Sequence, residues 1–398
     1  MNSAQQALGA TELIALIQKT CGQLDAESVP LANALGRILR EPVCTPEDLP
    51  AFDRSAVDGY AVRIDDNSSA FHIVDEIRAG DWSPRELKLG ATVRIATGSA
   101  LPAANLQVIM KEDAAVAGDT VRILRRTPER NVRIRGEDAV RGQTLVPSSY
   151  RLTAGTLALL ASFGCTEPRV ARLPRTLHLV TGNELVAPDT IPQHGQIRDS
   201  NSTLVRAFLQ SHGVVPQQLR LAEDEAALDA SLRTSAETAD LILISGGASV
   251  GKHDFTRRSL ENAGFEILVS KTATRPGKPL IFARRSEVIA FGLPGNPLAH
   301  FVCLNLFVRA ALEKFSGVTP APIWRSGVLE SDLDAGGNVR ETFWPAFCRE
   351  GLGAPTLTAL RWSSSGDLTA LATANALIRV VSSTTSLARG MTVEFVTT

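Results

Sequence analysis

Nowhere in its 398 residues does the chain hold an apolar run approaching the ~20 residues that a membrane-spanning helix requires. Its opening stretch, MNSAQQALGATELIALIQKT, lacks a basic leader followed by a cleavable apolar core, so a soluble cytoplasmic protein is expected. The five cysteines, Cys21, Cys44, Cys165, Cys303 and Cys348, show no CxxC spacing, which points to free thiols and away from a zinc site or a disulfide framework. The six histidines, His72, His178, His194, His212, His253 and His300, show no ligand spacing, and most are expected to be surface or packed residues. Excess positive charge is missing too. A net charge of −1 argues against a nucleic-acid protein, whose affinity would come from releasing counterions, so any cationic site must be local. No sequence repeat and no low-complexity tract is present.

What is present is a change of pattern along a chain long enough for roughly two to four domains. Thr11–Thr20 and Leu31–Arg40 read as amphipathic helices, with Thr11 placed to cap the first. From Asp58 to Val146 short β-rich runs (GYAV, FHIV, TVRIA, QVIM, TVRIL, NVRI) alternate with Gly, Asp, Asn and Pro, the mark of a small β domain. Leu152–Ser162 returns to helix. Thr176–Val180, Leu204–Ser211, Val214–Leu221, Ala226–Thr234, Leu241–Ser245 and Thr256–Asn262 then alternate strand and helix, which implies a parallel, doubly wound sheet with its ligand beyond the carboxyl ends of the strands. A long helix from about Leu298 to Phe315 closes that unit. After Thr319–Pro322, a linker by composition, Ile323–Leu329, Thr342–Phe347, Ala376–Val381 and Thr392–Val396 form a C-terminal β domain. The expected division is 1–50 with 147–174 as a discontinuous helical and linker part, 51–146 as an inserted β domain, 175–318 as the α/β domain and 323–398 as the last β domain.

The most informative stretch is Ile242–Phe255, ILISGGASVGKHDF. An apolar strand runs into Gly246, Gly247 and Gly251, which let backbone N–H groups approach an anion closely, and Ser249 adds a hydroxyl. Asp254 follows and would lie near bound phosphate, with Glu184 and Asp199 leaving other ends of the same sheet. Two proline-rich turns, Arg275-Pro276-Gly277-Lys278-Pro279 and Leu293-Pro294-Gly295-Asn296-Pro297, flank strand ends and supply rigid geometry. Arg275 and Lys278 bracket one turn, with Lys271 four residues earlier, as a grip on an oxyanion requires. Asn296 is placed to cap the helix that Pro297 opens.

Several motifs in order carry a resemblance. FDRSAVDGYA at 52–61, Thr97-Gly98, Arg135-Gly136-Glu137-Asp138, Asp199-Ser200-Asn201, GGASVGKHD, RPGKP and LPGNP resemble the motif series of the molybdopterin molybdenumtransferase (MoeA) family, similar to the gephyrin E domain, over nearly the whole chain. That resemblance implies an elongated homodimer of four-part subunits. It implies Mg²⁺-dependent insertion of molybdenum, from molybdate, into adenylylated molybdopterin with release of AMP. It further implies that Asp58 and Asp138 reach the cleft from the partner subunit and that Glu184 and Asp254 organise Mg²⁺, while Thr97 offers a hydroxyl to the site or serves its turn. The Gly246–Gly251 turn, Asp199, Ser200, Asn201, Pro294 and Pro297 would bound the pterin nucleotide. Arg340 and Ser365 would join Arg275, Lys278 and Lys271 around molybdate. Molybdopterin adenylyltransferase and molybdoenzyme apoproteins, or their chaperones, are the implied transient partners. Departures from the family pattern occur at Pro102–Leu106, at Glu223 where Asp is usual, at Arg275 where Lys is common, and at Pro345 where a second Arg normally follows Arg340. A pterin-binding scaffold without insertase activity and a molybdopterin adenylyltransferase are the alternative functions.

Overall fold

The computed structural model describes residues 7–221, 224–246, 250–318 and 324–398, with the side chains of 250–254 left aside. The chain divides into two compact units, Met1–Arg40 with Ser149–Leu152 and Pro168–Thr398, and Glu41–Ser148 with Thr153–Glu167.

The first unit is organised by a six-stranded sheet. Four strands, Gln217–Leu221, Thr176–Thr181, Leu241–Gly246 and Val288–Leu293, run parallel in that order. The expected parallel sheet is extended on one side by Ile281–Arg285, which runs antiparallel because Arg285 and Val288 join through a short hairpin, and then by Glu266–Val269, antiparallel in turn to Ile281–Arg285. Side chains alternate along the buried strand Leu241–Gly246 as a two-residue period demands. Leu241 and Leu243 face the helix Ala10–Thr20 and the C-terminal helix of this unit through Ile14, Phe307 and Phe315. Ile242 and Ile244 face the opposite layer, where Leu228, Leu232 and Leu260 pack. Both faces are therefore covered, which is why this strand reads as an unbroken apolar run. Chain order reverses between Thr176–Thr181 and Leu241–Gly246, the switch point beyond which such sheets bind ligands.

The helix expected over Leu298–Phe315 is present as Pro297–Cys303 and Arg309–Ser316 joined by a π-helical turn, Leu304–Val308. The first helix begins at Ala10, one residue before the expected cap at Thr11, because Gly9 is the flanking residue and its N–H is taken by Glu12 Oε2 at 3.0 Å. Leu31–Arg40 is not a helix. Only Leu31–Asn33 makes a 3₁₀ turn, Gly36 takes a positive φ, and Ile38 and Leu39 bridge in extended form to Arg151 and Val170. Apolar spacing there serves a strand-like packing instead.

Also within this unit, the strands Glu341–Arg349, Thr356–Ala359, Arg325–Leu329, Thr392–Thr397 and Ala376–Val380 pair in sequence and close, since the last also pairs with the first. Leu329, Ala346, Leu357, Ile378 and Phe395 fill the small barrel. Thr274–Arg275 adds to it in parallel with Glu341–Thr342, so the RPGKP turn is stitched by backbone to the strand that follows Arg340. The linker expected at Thr319–Pro322 lies outside the described residues, as does Glu223.

In the second unit a sheet ordered Leu106–Met110, Gly59–Arg63, Ala91–Ile95, Ala70–Ile77, Thr120–Ile123, Ala114–Ala117 matches the expected β runs. Ala61, Val93 and Val108 form one of its cores and Tyr60, Val62 and Phe71 another. The helix expected near Leu152–Ser162 spans Ala154–Ser162, with Thr153 capping it. In the altered Pro102–Leu106 loop, Asn105 takes a positive φ of 57° and its carbonyl accepts from Ile64, a left-handed conformation that Asn tolerates better than most residues. Pro345, the other departure, sits within Glu341–Arg349, and its carbonyl accepts from Leu360.

Candidate functional site

The RPGKP and LPGNP turns, which lie far apart in sequence, meet. Arg275, Pro276, Gly277, Lys278 and Pro279 from the first, and Pro294, Gly295 and Asn296 from the second, line a pocket of about 210 Å³ together with Arg340, Trp362, Ser364 and Ser365. Among the described residues three cationic side chains lie in that lining and no carboxylate does. None of the three takes part in an ion pair among the described residues. Burial, and then the neighbouring Arg275 charge, lower the Arg340 pKa below the ordinary arginine value, which leaves it cationic but makes a bound anion more favourable. Arg340 is held by donation from Nη1 to the Thr274 carbonyl at 3.1 Å. Glycine is required at 277: φ is 113°, and a Cβ would stand 3.1 Å from Thr274 Oγ1 and 3.2 Å from Cys303 Sγ. An arrangement of this kind binds a small oxyanion.

The second turn is fixed from two sides by three hydrogen bonds. Asn296 stands at the cap position of the helix opened by Pro297, but its side chain does not cap; Nδ2 donates to Ser365 Oγ at 2.6 Å, which corrects the expected role. Leu298 N–H donates to the Ser365 carbonyl at 3.0 Å. From the other side Asn201 Nδ2 donates to the Gly295 carbonyl at 2.7 Å, while its buried Oδ1 has no partner among the described residues. Asp199 caps the helix Ser200–Ser211, with Oδ1 accepting from Ser202 N–H at 2.9 Å and Oδ2 from its hydroxyl at 2.5 Å. Ser200 is the first residue of that helix. Lys271 is exposed and does not line the pocket.

Sequence reasoning missed a buried relay beneath this turn. Gln218, His178, Ser245 and His300 come from three strands and a helix. Gln218 Nε2 lies 2.9 Å from His178 Nδ1, His178 Nε2 lies 2.6 Å from Ser245 Oγ, Ser245 Oγ lies 3.4 Å from His300 Nε2, and His300 Nδ1 lies 2.9 Å from the Pro294 carbonyl. One assignment satisfies every pair: an amide N–H donates to His178, which donates from Nε2 to Ser245, which donates to His300, which donates to Pro294. Both rings are neutral in it. Burial is the main cause that lowers their pKa values, to about 3 for His178 and about 4 for His300. The histidines have no shared spacing, so only the parallel register could reveal them.

At the switch point, Gly246 ends its strand opposite Thr181, and a Cβ there would stand 1.9 Å from Thr181 Oγ1. Gly247 and Ser249 lie outside the described residues, and Gly251 and Asp254 fall in the helix Val250–Asn262 at positions whose side chains are not described. Glu184 folds back over Gly182, with Oε2 3.0 Å and Oε1 3.1 Å from where a Cβ would stand. Among the described residues no hydrogen bond or ion pair engages its carboxylate, and no group of three or more His, Cys, Asp and Glu side chains converges. One such described carboxylate can join an Mg²⁺ shell that phosphate and water complete.

In the second unit the structure brings Asp58 and Thr97 together. Thr97 donates to Asp58 Oδ1 from N–H at 2.8 Å and from its hydroxyl at 2.9 Å, and Lys111 Nζ lies 3.4 Å from Oδ2. The Thr97 hydrogen bonds, then Lys111, hold the Asp58 carboxyl below the usual carboxylate range. Asp58 and Lys111 border a cleft of about 410 Å³ with Tyr60, Glu76 and Arg94. Lys111 escaped sequence reasoning because its ammonium reaches Asp58 only through sheet pairing. Asp138 instead accepts from Arg133 Nη2 at 2.6 Å.

With this geometry in place, comparisons with known proteins agree with one another. The chain matches the MoeA N-terminal region (domain I and II) over residues 4–164, the probable molybdopterin binding domain over 178–314 and the MoeA C-terminal region (domain IV) over 327–398. A crystal structure of the molybdopterin biosynthesis MoeA protein from Pyrococcus horikoshii superposes with a TM-score of 0.81 at 26% identity, covering 99% of this chain and 100% of that one. Fold and site thus define a multidomain protein of the MoeA type. The molybdopterin molybdenumtransferase of Bacillus subtilis is 34% identical over 94% of this chain and 90% of its own, and that of Nostoc sp. 35% identical over 82% and 78%. The chain belongs to the molybdopterin molybdenumtransferase family.

Proposed function

We propose that this protein inserts molybdenum from molybdate into adenylylated molybdopterin, with release of AMP. The single observation that carries this reading is the carboxylate-free pocket of Arg275, Lys278 and Arg340 at the end of a doubly wound sheet, in a chain of the molybdenumtransferase family. A tetrahedral dianion fits three cations and the Ser365 hydroxyl, with Lys271 adding positive charge near the approach. The family matches on either side of the molybdopterin-binding region favour insertion over adenylylation, since an adenylyltransferase has no need of them.

The roles follow the chemistry. The glycine turn from Gly246 to Gly251, with Ser249, holds the diphosphate of the pterin adenylate by N–H donation. Asp199, Ser200 and Asn201 shape its edge, and Pro294 and Pro297 keep the opposite wall rigid. Glu184 and Asp254 would hold Mg²⁺, which when bound would neutralise charge on the diphosphate, whose phosphoanhydride bond is the one broken to release AMP. Asp58, oriented by Thr97, and Asp138 belong to the same reaction through a second subunit, which makes a homodimer the working form. No covalent protein intermediate is needed, because placement of charges lowers the barrier. The four-part division at 1–50 with 147–174, 51–146, 175–318 and 323–398 is the corresponding domain scheme. A cytoplasmic location fits, with molybdopterin adenylyltransferase upstream and molybdoenzyme apoproteins or their chaperones downstream. Neither nucleic acid nor membrane is a partner in this scheme; among the described residues no helix is long and apolar enough to cross a membrane.

The test is AMP release from adenylylated molybdopterin by the purified protein with Mg²⁺, with and without molybdate, while molybdenum bound to the pterin is followed. Molybdate-dependent AMP release with matched metal incorporation is the expected result. Tight pterin binding without either product would overturn it in favour of a scaffold.

A further inference from the structure

Pro294, Gly295 and Asn296 form one wall of the oxyanion pocket. Prolines at 294 and 297 carry no backbone N–H, so the carbonyls of this turn depend on donors from outside it. His300 supplies two of them: its N–H donates to the Asn296 carbonyl at 2.9 Å, and its ring Nδ1 donates to the Pro294 carbonyl at 2.9 Å. The first is an ordinary helix bond that almost any residue at 300 would make. The second belongs to this side chain alone. A carbonyl oxygen only accepts, so Nδ1 carries the ring proton, and Nε2 is left to face Ser245 Oγ at 3.4 Å. Ser245 immediately precedes Gly246, where the strand ends and the glycine turn begins. The ring therefore stands between the pocket wall and that strand end. His300 and Pro294 are both buried, so without the ring donor the Pro294 carbonyl would be left unsatisfied, and the turn would relieve that cost by shifting toward water.

We infer that His300 is a positioning residue of the oxyanion pocket: donation from its Nδ1–H to the Pro294 carbonyl fixes the wall against which Arg275, Lys278 and Arg340 receive a tetrahedral dianion. This rests on the pocket being the molybdate site. His300 is not among the residues that line the pocket and acts through Pro294. A wall held in its bound shape beforehand need not be ordered when the anion arrives, and that saving appears as affinity. The two ring nitrogens can be tested apart. Asparagine carries its amide N–H as far from the backbone as histidine carries Nδ1, whereas glutamine carries its amide one bond further out, at the reach of Nε2. His300→Asn thus keeps the donor to Pro294 and drops the Ser245 contact; His300→Gln does the reverse, and His300→Phe offers neither.

The experiment is calorimetric titration of the full-length protein and the three variants with sodium molybdate, well below the lowest melting temperature. His300→Gln and His300→Phe are expected to weaken molybdate binding about fivefold, the equilibrium counterpart of one lost hydrogen bond, while His300→Asn stays within about twofold of the unaltered protein. The melting temperature is expected to fall in all three, because each breaks the relay. That split between affinity and stability is what a merely structural role would not produce. Wild-type affinity in all three variants, equal weakening in all three, or retention by His300→Gln in place of His300→Asn overturns the inference while leaving the pocket reading intact. Failure of the unaltered protein to bind molybdate removes the pocket reading itself, and this inference with it. Should the variants not fold, ¹⁵N-histidine labelling of the unaltered protein reads the same contact. The His300 signal, protonated at Nδ1 and identified among such rings by its response to Ser245→Ala, is expected to move when molybdate is added, and an unmoved signal overturns the inference.

Discussion

His178 Nε2 lies 2.6 Å from Ser245 Oγ, wholly inside the first unit, and this contact joins two neighbouring parallel strands from within. The relay it belongs to runs one way, and Arg206 fixes that direction by donating from Nε to Gln218 Oε1 at 2.8 Å, so the Gln218 amide presents its N–H to His178. A proton added to His178 Nδ1 would face a donor.

Acid should therefore weaken the fold through these two rings. Their pKa values fall from an ordinary 6.5 to about 3 and about 4 on folding, so the unfolded chain binds more protons below pH 6.5. The stability they lend is complete above pH 6.5. It declines as pH falls toward 4, by up to about 1.4 kcal/mol per pH unit for each ring. Denaturant midpoints measured at pH 7.5, 6.0 and 5.0 should fall in that order, and His300→Phe should flatten the dependence. An equally steep profile in that variant would exclude His300 as a cause.

Gly246→Ala would place a methyl carbon 1.9 Å from Thr181 Oγ1 and 3.0 Å from the Thr181 carbonyl. The strands must part where the ligand crevice begins, and a loss of about 2 kcal/mol is expected. Thr181→Ala in the same chain removes the hydroxyl and should restore part of it. The coupling is read from a double-mutant cycle of unfolding free energies, and strict additivity would show that the two residues do not collide.

Asp240 anchors the start of the strand Leu241–Gly246, accepting from Arg172 Nη1 at 2.7 Å and from Arg175 N–H at 2.7 Å. Burial pushes its pKa up, but the hydrogen bonds from Arg172 and Arg175 outweigh that and hold it below the usual carboxylate range. Asp240→Ala leaves Arg172 half-buried beside a lost partner and should cost about 2–3 kcal/mol, read by urea unfolding at pH 7. In the unaltered protein this contribution is present above the ordinary carboxylate pKa and is lost as pH falls below it.

Asp58→Asn keeps the size and one acceptor for Thr97 but removes the charge that Lys111 faces. Turnover is expected to fall at least tenfold while the melting temperature stays within a degree or two, since the group is exposed. Normal AMP release by this variant would remove Asp58 from the reaction. Asp254→Ala should likewise stop AMP release without unfolding the chain, and unaltered turnover would remove Asp254 from the site.

Much of the architecture was legible because it is local. Apolar period and turn residues located the helix Ala10–Thr20, the strands Thr176–Thr181, Gln217–Leu221 and Leu241–Gly246 and the helix ending at Ser316, but not the strands Glu266–Val269, Ile281–Arg285 and Val288–Leu293, and the motif order pointed to the family that the comparisons establish. Leu31–Arg40 failed because a helical apolar spacing also serves an irregular segment whose hydrogen bonds go to distant partners, and Gly36 breaks it. Arg275, Lys278 and Arg340 were visible as residue types, while their convergence follows from Thr274–Arg275 pairing with Glu341–Thr342. Asn296 was placed at the cap correctly, but whether its amide caps or reaches Ser365 depends on a loop some seventy residues away.

The sequence by itself determined the alternation of elements, the absence of a charge excess and the chemical kinds of the site residues, since these depend on neighbours along the chain. Only the tertiary structure decided that Trp362 would shelter Arg275, that Lys111 would face Asp58, and that two histidines with no shared spacing would form one hydrogen-bonded line. Those contacts arise from strand register and loop approach over long separations, where the partner of a polar atom is fixed by which groups burial brings within reach.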